Sequence, residues 1–503
     1  MRPVRSAARR AAVMGALVLG AVLLASCERA PIDAIRLGIP TAPLSLDPRY
    51  ATDAMSARLS RLLHAALVEF DGAAQAVPGL ADWRMDNASH YRFTLRGDAC
   101  FSDGRAITAA DVVATYRAVL DPELASPLRE ALRNIAAVRV IDTRTIDFEL
   151  RQADALFPAT LGLGVMAAED ARRPRDTWQL ASGPFSRVVW HNDGNVSLRR
   201  RADGVRVEVV VVKDATVRAL KLIAGELDIV QGNLPPETIS WLATRPGLRV
   251  VEHDGTTFSY LGFNLSRGPL TDRRVRAAIS HAIDRCAVVR YLFHSRAQAA
   301  ASLLPPSHWA AAPDLPVPAY DPARSRALLA AAGYGQQRLR LHYKTSADAF
   351  RLRLATALQS QLAEVGIDLV IDSLDWGTFY GDVGAGRFEI YGLSWVGLKL
   401  PSIFRQAFHS AARPPAGLNR GYYHQAETDA LIEAAEGEQA AARQRLLYHA
   451  IERRLLYDLP YVPLWFETQT AVLRADIDGY AIDADGSFDG LATVHRVSPD
   501  AYH

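Results

Sequence analysis

Residues 339–371 read LRLHYKTSADAFRLRLATALQSQLAEVGIDLVI, and this stretch decides the fold class of the chain. Apolar residues alternate over residues 339–343, which predicts a strand, and a stripe with helical spacing follows over residues 350–365. Gly366 is placed to end that helix, and residues 369–371 return to a strand pattern. A strand, a helix of about four turns and a second strand are typical of an α/β unit with a parallel or mixed sheet.

The composition is that of a large globular protein with several domains. Of the 503 residues, 49% are hydrophobic and 22% are charged, and a chain of this length corresponds to about two to four domains. Its 57 basic and 55 acidic residues nearly balance, so the sequence lacks the basic field that binding to nucleic acid requires. Residues 205–212 form an almost continuous β-branched run, which predicts a strand buried on both faces. No linker rich in proline or serine occurs, so we expect crossover strands to join the domains.

The N-terminal segment has the pattern of an export signal. Four arginines precede an apolar stretch at residues 11–25, which is too short to span a bilayer comfortably. The stretch ends in Leu-Ala-Ser-Cys at residues 24–27, which resembles a bacterial lipobox. We predict that residues 1–26 are a signal peptide and that Cys27 receives a lipid anchor. The alternatives are an ordinary signal peptide followed by an incidental cysteine, or an uncleaved anchor.

The mature chain is expected in the periplasm, held at a membrane surface through Cys27. After this residue no apolar run approaches the length of a transmembrane helix. Cys100 and Cys286 show no short spacing pattern and are expected to stay unpaired. The sequence contains neither a C-x-x-C nor an H-E-x-x-H pattern, so no metal site and no cofactor are predicted.

Several motifs are spread along the mature chain in a fixed order. Residues 93–113 read FTLRGDACFSDGRAITAADVV, and residues 260–285 read YLGFNLSRGPLTDRRVRAAISHAIDR. Shorter motifs are GELD at residues 225–228 and NRGY at residues 419–422, which Asp429 follows. In this order and spacing they resemble family 5 of the extracytoplasmic solute-binding proteins, which serve ABC importers of oligopeptides, dipeptides and nickel.

Most of these motif residues have a local structural reason. Asp103 and Gly104 suit a turn, and Thr108 with Asp111 forms a capping pattern at the start of a helix. Val275 and its neighbours form one stripe of an amphipathic helix. We therefore expect about two thirds of the motif residues to maintain the fold and not to contact a ligand.

The resemblance implies a bilobal α/β fold of the Venus-flytrap type, with two mixed lobes and an extra small domain inserted in the first. The implied boundaries are 27–66 with 180–265 and 465–503 for lobe I, 67–179 for the small domain and 266–464 for lobe II. The implied function is the capture of a peptide or peptide-like solute between two closing lobes and its delivery to ABC permease subunits. The resemblance also implies a monomer without catalytic activity.

By position in this family, ten residues are expected to line the cleft. They are Thr41, Leu44, Thr257, Tyr260, Asn264, Trp395, Val396, Leu398, Asn419 and Tyr422. Trp395 is the strongest candidate, because it follows a predicted strand at residues 388–393 and its indole would lie at the strand end. The alternative interpretation is an ordinary buried tryptophan within a lobe.

The sequence departs from the family pattern after Trp395. Oligopeptide-binding relatives often carry an aspartate a few residues later, which pairs with the α-amino group of the ligand. Here Leu398 and Leu400 are apolar and Lys399 reverses the charge. An ammonium group in a dry cleft is costly without a counter-charge, so we predict that a free ligand α-amine is not required. An N-blocked peptide, a cyclic peptide or another molecule fits, and relatives that bind haem, nickel chelates or sugars leave the choice open.

Two other classes of function are alternatives. A lipid-anchored hydrolase would need a nucleophile, and Ser394 in Gly392-Leu393-Ser394-Trp395-Val396 approaches the G-x-S-x-G elbow but lacks its second glycine. A solute-binding sensor or chaperone would share the fold and the motifs, because partners and not the fold decide between transport and sensing.

Overall fold

The computed structural model describes residues 34–415 and 417–497. In this part the strands are β1 (Ala34–Ile39), β2 (Val68–Phe70), β3 (Ala76–Pro78), β4 (Ala81–Asn87), β5 (His90–Leu95), β6 (Ile135–Val140), β7 (Thr145–Leu150), β8 (Phe185–Trp190), β9 (Val196–Arg200), β10 (Arg206–Val211), β11 (Ile229–Gln231), β12 (Leu248–Phe263), β13 (Ala297–Ala299), β14 (Leu339–Ser346), β15 (Ile367–Leu374), β16 (Ile390–Trp395), β17 (Tyr461–Arg474), β18 (Ile477–Asp478) and β19 (His495–Arg496). The α-helices are α1 (Ala54–Leu63), α2 (Ala109–Leu120), α3 (Ala215–Ile223), α4 (Pro236–Leu242), α5 (Arg273–Ala282), α6 (Arg285–Tyr291), α7 (Pro322–Leu329), α8 (Ala349–Glu364), α9 (Trp376–Gly384), α10 (Ile403–Phe408), α11 (Ala426–Gly437) and α12 (Ala441–Asp458).

A large mixed sheet organises the molecule. Its strand order is β15-β14-β16-β12-β17-β11-β1-β10-β9-β8, and β13 pairs with β17 beside this path. β14 runs parallel to β15 and β16, and β1 runs parallel to β11, whereas β12 is antiparallel to both β16 and β17. The stretch at 339–371 forms β14, α8 and β15, with Gly366 in a left-handed conformation after the helix. The α/β prediction for this stretch is therefore confirmed.

The two longest strands join the two halves of the sheet. The carboxyl-terminal part of β17 pairs with β11, while the carboxyl-terminal part of β12 pairs with β16. The β12–β17 ladder is irregular between His253 and Thr257. At this point a Cβ on Gly255 would lie 2.0 Å from the carbonyl oxygen of Glu467, so only glycine allows the two backbones to approach. Each of these two strands therefore belongs to both halves and changes geometry between them.

Residues inside the predicted small domain form a second, antiparallel sheet with the order β4-β5-β7-β6. Helix α2 packs against it and begins with the capping box of Thr108 and Asp111 that the sequence predicts. This sheet and helix have a hydrophobic cluster of their own, which includes Tyr91, Phe93 and Tyr116. The domain boundaries themselves stay a prediction.

Strand β10 corrects one expectation. Val207 and Val209 are buried, but Glu208 on the other face is only half-buried and accepts a hydrogen bond from Ser197 of β9. The prediction of a strand buried on both faces is wrong, because a polar cross-strand pair occupies one face. Among the described helices none is both long and apolar enough to cross a bilayer, and Cys100 and Cys286 form no disulfide.

Candidate functional site

Trp395 is the last residue of β16, as the sequence predicts for the strand end. It lies opposite Phe258 of β12 and is half-buried. Because β14, β15 and β16 are parallel, their carboxyl ends meet at one edge of the sheet, and Trp395 lies on this edge. In open α/β sheets ligands bind outside the carboxyl ends of the strands. The position of Trp395 therefore fits a ligand site.

Two tyrosines continue inward from Trp395. The Tyr260 ring is stacked on Trp395 with centroids 6.4 Å apart and planes 14° apart, and Tyr461 stacks on Tyr260 at 4.0 Å. Tyr260 is fully buried, and burial raises its pKa well above the ordinary value, so its hydroxyl stays neutral. Tyr260 and Tyr461 pack on the inner side of Trp395 and fix the orientation of its ring.

A guanidinium and two further rings continue outward. The Arg420 guanidinium lies 5.6 Å from the Trp395 ring centroid and 5.1 Å from that of Tyr380. Tyr380 in turn stacks on Trp376 at 5.5 Å, and the Trp376 side chain is 60% exposed. We call this series the aromatic ladder, and it consists of Trp376, Tyr380, Arg420, Trp395, Tyr260 and Tyr461. It leads from solvent at the edge of the sheet to the core.

The other face of the same strands carries polar groups. Ser259 Oγ and Ser394 Oγ are 2.7 Å apart, as expected for a cross-strand pair. Ser259 Oγ donates to Glu467 Oε1 at 3.0 Å, and Arg351 Nη1 lies 2.9 Å from the same oxygen. The edge therefore offers an aromatic face and a polar face to a solute.

The two asparagines of the predicted site hold the backbone. Asn264 Nδ2 donates to the carbonyls of Gly386 and Phe388, while its Oδ1 accepts from Ser266. Asn419 Nδ2 donates to His409 O and Tyr423 O, and its Oδ1 accepts from Tyr423 N. Both side chains are buried with donors and acceptors already engaged. Their contribution to a site is the placement of the segments that carry them.

The remaining predicted residues divide by exposure. Thr41, Leu44 and Val396 are exposed, with Leu44 at 73%. The backbone of Leu44 is fixed, because its N–H donates to Ser56 Oγ at 2.8 Å and its carbonyl accepts from Arg175. Thr257 and Leu398 are buried, and Tyr422 is half-buried. The structure thus brings Tyr260 and Trp395 into direct contact, while Thr41 and Leu44 lie on the separate segment after β1.

Lys399 makes contacts that sequence reasoning missed. Its Nζ lies 2.5 Å from Asp485 Oδ2 and 5.1 Å from the ring centroid of Phe70. Burial alone would raise the pKa of Asp485, but the charges of Lys399 and Arg61 hold it below its ordinary value. In the boundaries predicted above, Lys399 belongs to lobe II, Asp485 to lobe I and Phe70 to the small domain. The reversed charge after Trp395 was the only signal of this contact in the sequence.

A small pocket with a volume of about 30 Å³ lies beside the inner end of the aromatic ladder. Phe258, Tyr461 and Phe408 form part of its wall, and no charged side chain lines it. Such a lining suits an apolar packing defect and not a peptide, whose backbone needs hydrogen-bond partners. We assign the candidate site to the sheet edge at Trp395.

Comparison with known proteins places this geometry in a family. The model of bacterial extracellular solute-binding proteins, family 5 (middle part), matches residues 75–411. The peptide transport periplasmic protein SapA of Salmonella typhimurium is 29% identical in an alignment of 469 positions that covers 83% of this chain and 83% of SapA. The probable di/tripeptide-binding protein 5 of Pseudomonas aeruginosa is 29% identical in an alignment of 473 positions that covers 84% of this chain and 88% of the relative.

Solved structures agree in fold. The ABC transporter substrate binding protein CtaP of Listeria monocytogenes superposes with a TM-score of 0.82 at 21% identity, covering 92% of this chain and 99% of CtaP. DppA of Helicobacter pylori in complex with peptide STSA gives 0.76 at 23% identity, with 92% and 98% covered. The expected bilobal, mixed α/β fold is confirmed. Since the family model matches more than half of the sequence, the chain belongs to family 5 of the bacterial extracellular solute-binding proteins.

Proposed function

We propose that this protein captures a peptide or peptide-like solute in the periplasm and delivers it to the permease subunits of an ABC importer. The observation that carries the proposal is Trp395, half-buried at the carboxyl edge of the sheet between Tyr260 and Arg420. On the polar face the half-buried Ser394 supplies a hydroxyl next to the end of β16, where an extended peptide backbone finds partners. The names of the relatives, which include peptide-binding periplasmic proteins, support the same solute class.

Closure of the lobes on the solute is part of the proposal. Both crossover strands are irregular next to Gly255 and Glu467, where a small change in backbone angles can rotate one half against the other. Lys399 and Asp485 form an ion pair between the two proposed lobes. Binding selects the closed arrangement if the solute contacts both lobes.

Membrane attachment and partners complete the proposal. Cys27 is proposed as the lipid-anchored residue and lies outside the described residues. The mature protein is proposed to act as a monomer. Residues 266–464 are proposed as lobe II, and residues 27–66, 180–265 and 465–503 as lobe I. Thr41, Leu44 and Val396 are exposed on the surface and are proposed to contact the solute together with Trp395, whereas the buried Tyr260 supports the Trp395 ring.

A hydrolase finds no support in the geometry. Ser394 Oγ pairs with Ser259 Oγ, and no histidine hydrogen bonds to it within the described ranges. A nucleophilic serine needs such a base. A sensor or chaperone would use the same site, and uptake of the solute by cells with and without the gene separates that function from transport.

The identity of the solute is tested by native mass spectrometry of the protein purified from its own periplasm. We expect a bound species whose fragments are those of a peptide. A co-purified haem, nickel chelate or sugar would overturn the proposed solute class.

Replacing Trp395 by alanine is expected to weaken solute binding by about 1–3 kcal/mol, because the half-buried indole is the aromatic ring at the carboxyl edge of the sheet. Calorimetry with a pool of tripeptides measures the loss. Trp241→Ala is the matched control. Trp241 lies on α4, outside the aromatic ladder, and is partly exposed, and the Arg245 guanidinium lies over its ring. Equal affinities of the two variants would remove Trp395 from the site.

Acetylation of the peptide α-amine is expected to leave affinity nearly unchanged. Two acids that could otherwise replace a carboxylate near Trp395 are engaged elsewhere: Asp47 is fully buried against Arg49 at 2.6 Å, and Glu389 accepts from His342 N. Calorimetry on the same tripeptide pool with and without N-terminal acetyl groups gives the comparison. A hundredfold loss, about 2.7 kcal/mol, would show that another acid binds the amine and that the assignment of the cleft is wrong.

A further inference from the structure

We propose that Arg420 binds a carboxylate of the solute, so that the protein selects solutes with a free carboxylate over neutral ones. This inference rests on the proposed function and names the chemistry that the site recognises. It concerns a residue that the sequence motif at 419–422 contains but does not single out.

Arg420 is buried without a counter-charge. The residue is 6% exposed, and one N–H group, on Nη2, donates to Tyr380 Oη at 2.8 Å. Within residues 34–415 and 417–497, no carboxylate oxygen lies within 4.0 Å of its guanidinium nitrogens. A buried cation without a partner is costly, and an anion that binds there removes the cost.

Other buried arginines of the same chain make several hydrogen bonds, which makes Arg420 an exception. Arg49 is paired with the Asp47 carboxylate through two nitrogens. Arg276 donates to four backbone carbonyls, and Arg285 donates to carbonyls of three segments of the chain. Each of these arginines has a structural role that its hydrogen bonds explain. Arg420 has burial of the same order and a single hydrogen bond, so packing alone does not account for it.

The neighbouring rings limit which part of the guanidinium is available. Its central carbon lies 5.1 Å from the Tyr380 ring centroid and 5.6 Å from that of Trp395, and Tyr380 Oη accepts from Nη2. The remaining N–H groups, which lie in the plane of the guanidinium, are left for hydrogen bonds with a solute. Trp395 Nε1 is fully enclosed and makes no hydrogen bond within the described part of the chain. The Arg420 guanidinium nitrogens other than Nη2 also make none there, but they are not fully enclosed and so keep contact with solvent. A carboxylate fits the edge of a guanidinium with two parallel hydrogen bonds.

The backbone around Arg420 is rigid. Asn419 is locked by the hydrogen bonds described above, and the Gly421 carbonyl accepts from Leu265 N at 2.9 Å. A Cβ on Gly421 would lie 2.6 Å from the Phe263 carbonyl oxygen, so this turn lies directly against the end of β12. The guanidinium is therefore held in place before a solute arrives, which reduces the entropic cost of binding.

The test compares two pools of N-acetylated tripeptides that differ only at the C-terminus, one with free carboxylates and one amidated. Calorimetry on the wild type is expected to give about tenfold or greater preference for the free carboxylates. Arg420→Gln should abolish the preference, and Arg420→Lys should retain part of it, because a point charge replaces the planar fork. Arg273→Gln is the matched control, since Arg273 stacks on the Tyr457 ring away from the aromatic ladder.

The outcomes separate the two proposals. Equal affinity of the wild type for both pools would overturn the role of Arg420 and leave peptide binding intact. If neither pool binds, the same peptides are measured with free α-amino groups. If these do not bind either, peptide capture is refuted, and the melting temperature is measured with a panel of small mono- and dicarboxylic acids. A rise in the wild type that Arg420→Gln loses would keep the anion site, and no rise would overturn it. Should Arg420→Gln fail to fold by circular dichroism, the wild-type preference and the Arg420→Lys variant decide.

Discussion

Replacing Asp228 by alanine is expected to lower the free energy of unfolding by about 3 kcal/mol. The carboxylate is fully buried and accepts from Arg36 N, Nε and Nη2 at 2.8–2.9 Å, and Arg496 Nη2 lies 2.8 Å from it. Its removal leaves Arg36 without its counter-charge, whereas Arg496 keeps Asp476 at 2.7 Å. Both arginines are partly exposed, so water offsets some of the loss. Urea unfolding followed by circular dichroism measures the change.

The control for this variant is Asp368→Ala, which breaks the exposed ion pair with Arg338. Exposed pairs contribute about 0–1 kcal/mol, so the two variants should differ clearly. Burial would raise the pKa of Asp228, but Arg36 and Arg496 hold it below its ordinary value. Its contribution to stability is therefore present above the ordinary aspartate range and is lost as pH falls through the lowered pKa. Equal losses in both variants would contradict the structural role given to the GELD motif.

The Cys27→Ala variant is expected to lose its acyl chains. The reason is that the Cys27 thiol is proposed to carry the thioether-linked diacylglycerol that anchors the mature protein. Fractionation followed by intact mass analysis measures both location and acylation. Wild-type protein found in the membrane fraction without diacylglycerol would refute the assignment, while Cys286→Ala is a control that should not change the distribution.

Periodicity predicted the elements that carry the site. The strand at 388–393 is found as β16, and the helix stripe ending before Gly366 is found as α8 with Leu354, Leu358 and Leu362 buried. The terminal position of Trp395 follows from the same pattern. Local sequence suffices here because strand and helix periods depend on which face is buried.

Local sequence patterns do not predict contacts between residues that lie far apart in the chain. Asn264 resembles a ligand contact by family position, yet its amide bonds to carbonyls more than 100 residues later, at Gly386 and Phe388. Lys399 and Asp485 meet only because the chain returns through β17 before residue 485. Arg420 is proposed as an anion site because no carboxylate of the described residues lies close to its guanidinium. The spacing of residues in the sequence does not reveal this.

Small-angle X-ray scattering tests the central claim, that a solute binds between two lobes and closes them. The protein is measured free of ligand and saturated with the tripeptide that binds most tightly in calorimetry, with Trp395→Ala at the same concentrations as the control. We expect the radius of gyration of the wild type to fall on saturation and that of the variant to change less. The same radius for free and saturated wild-type protein would contradict hinge closure.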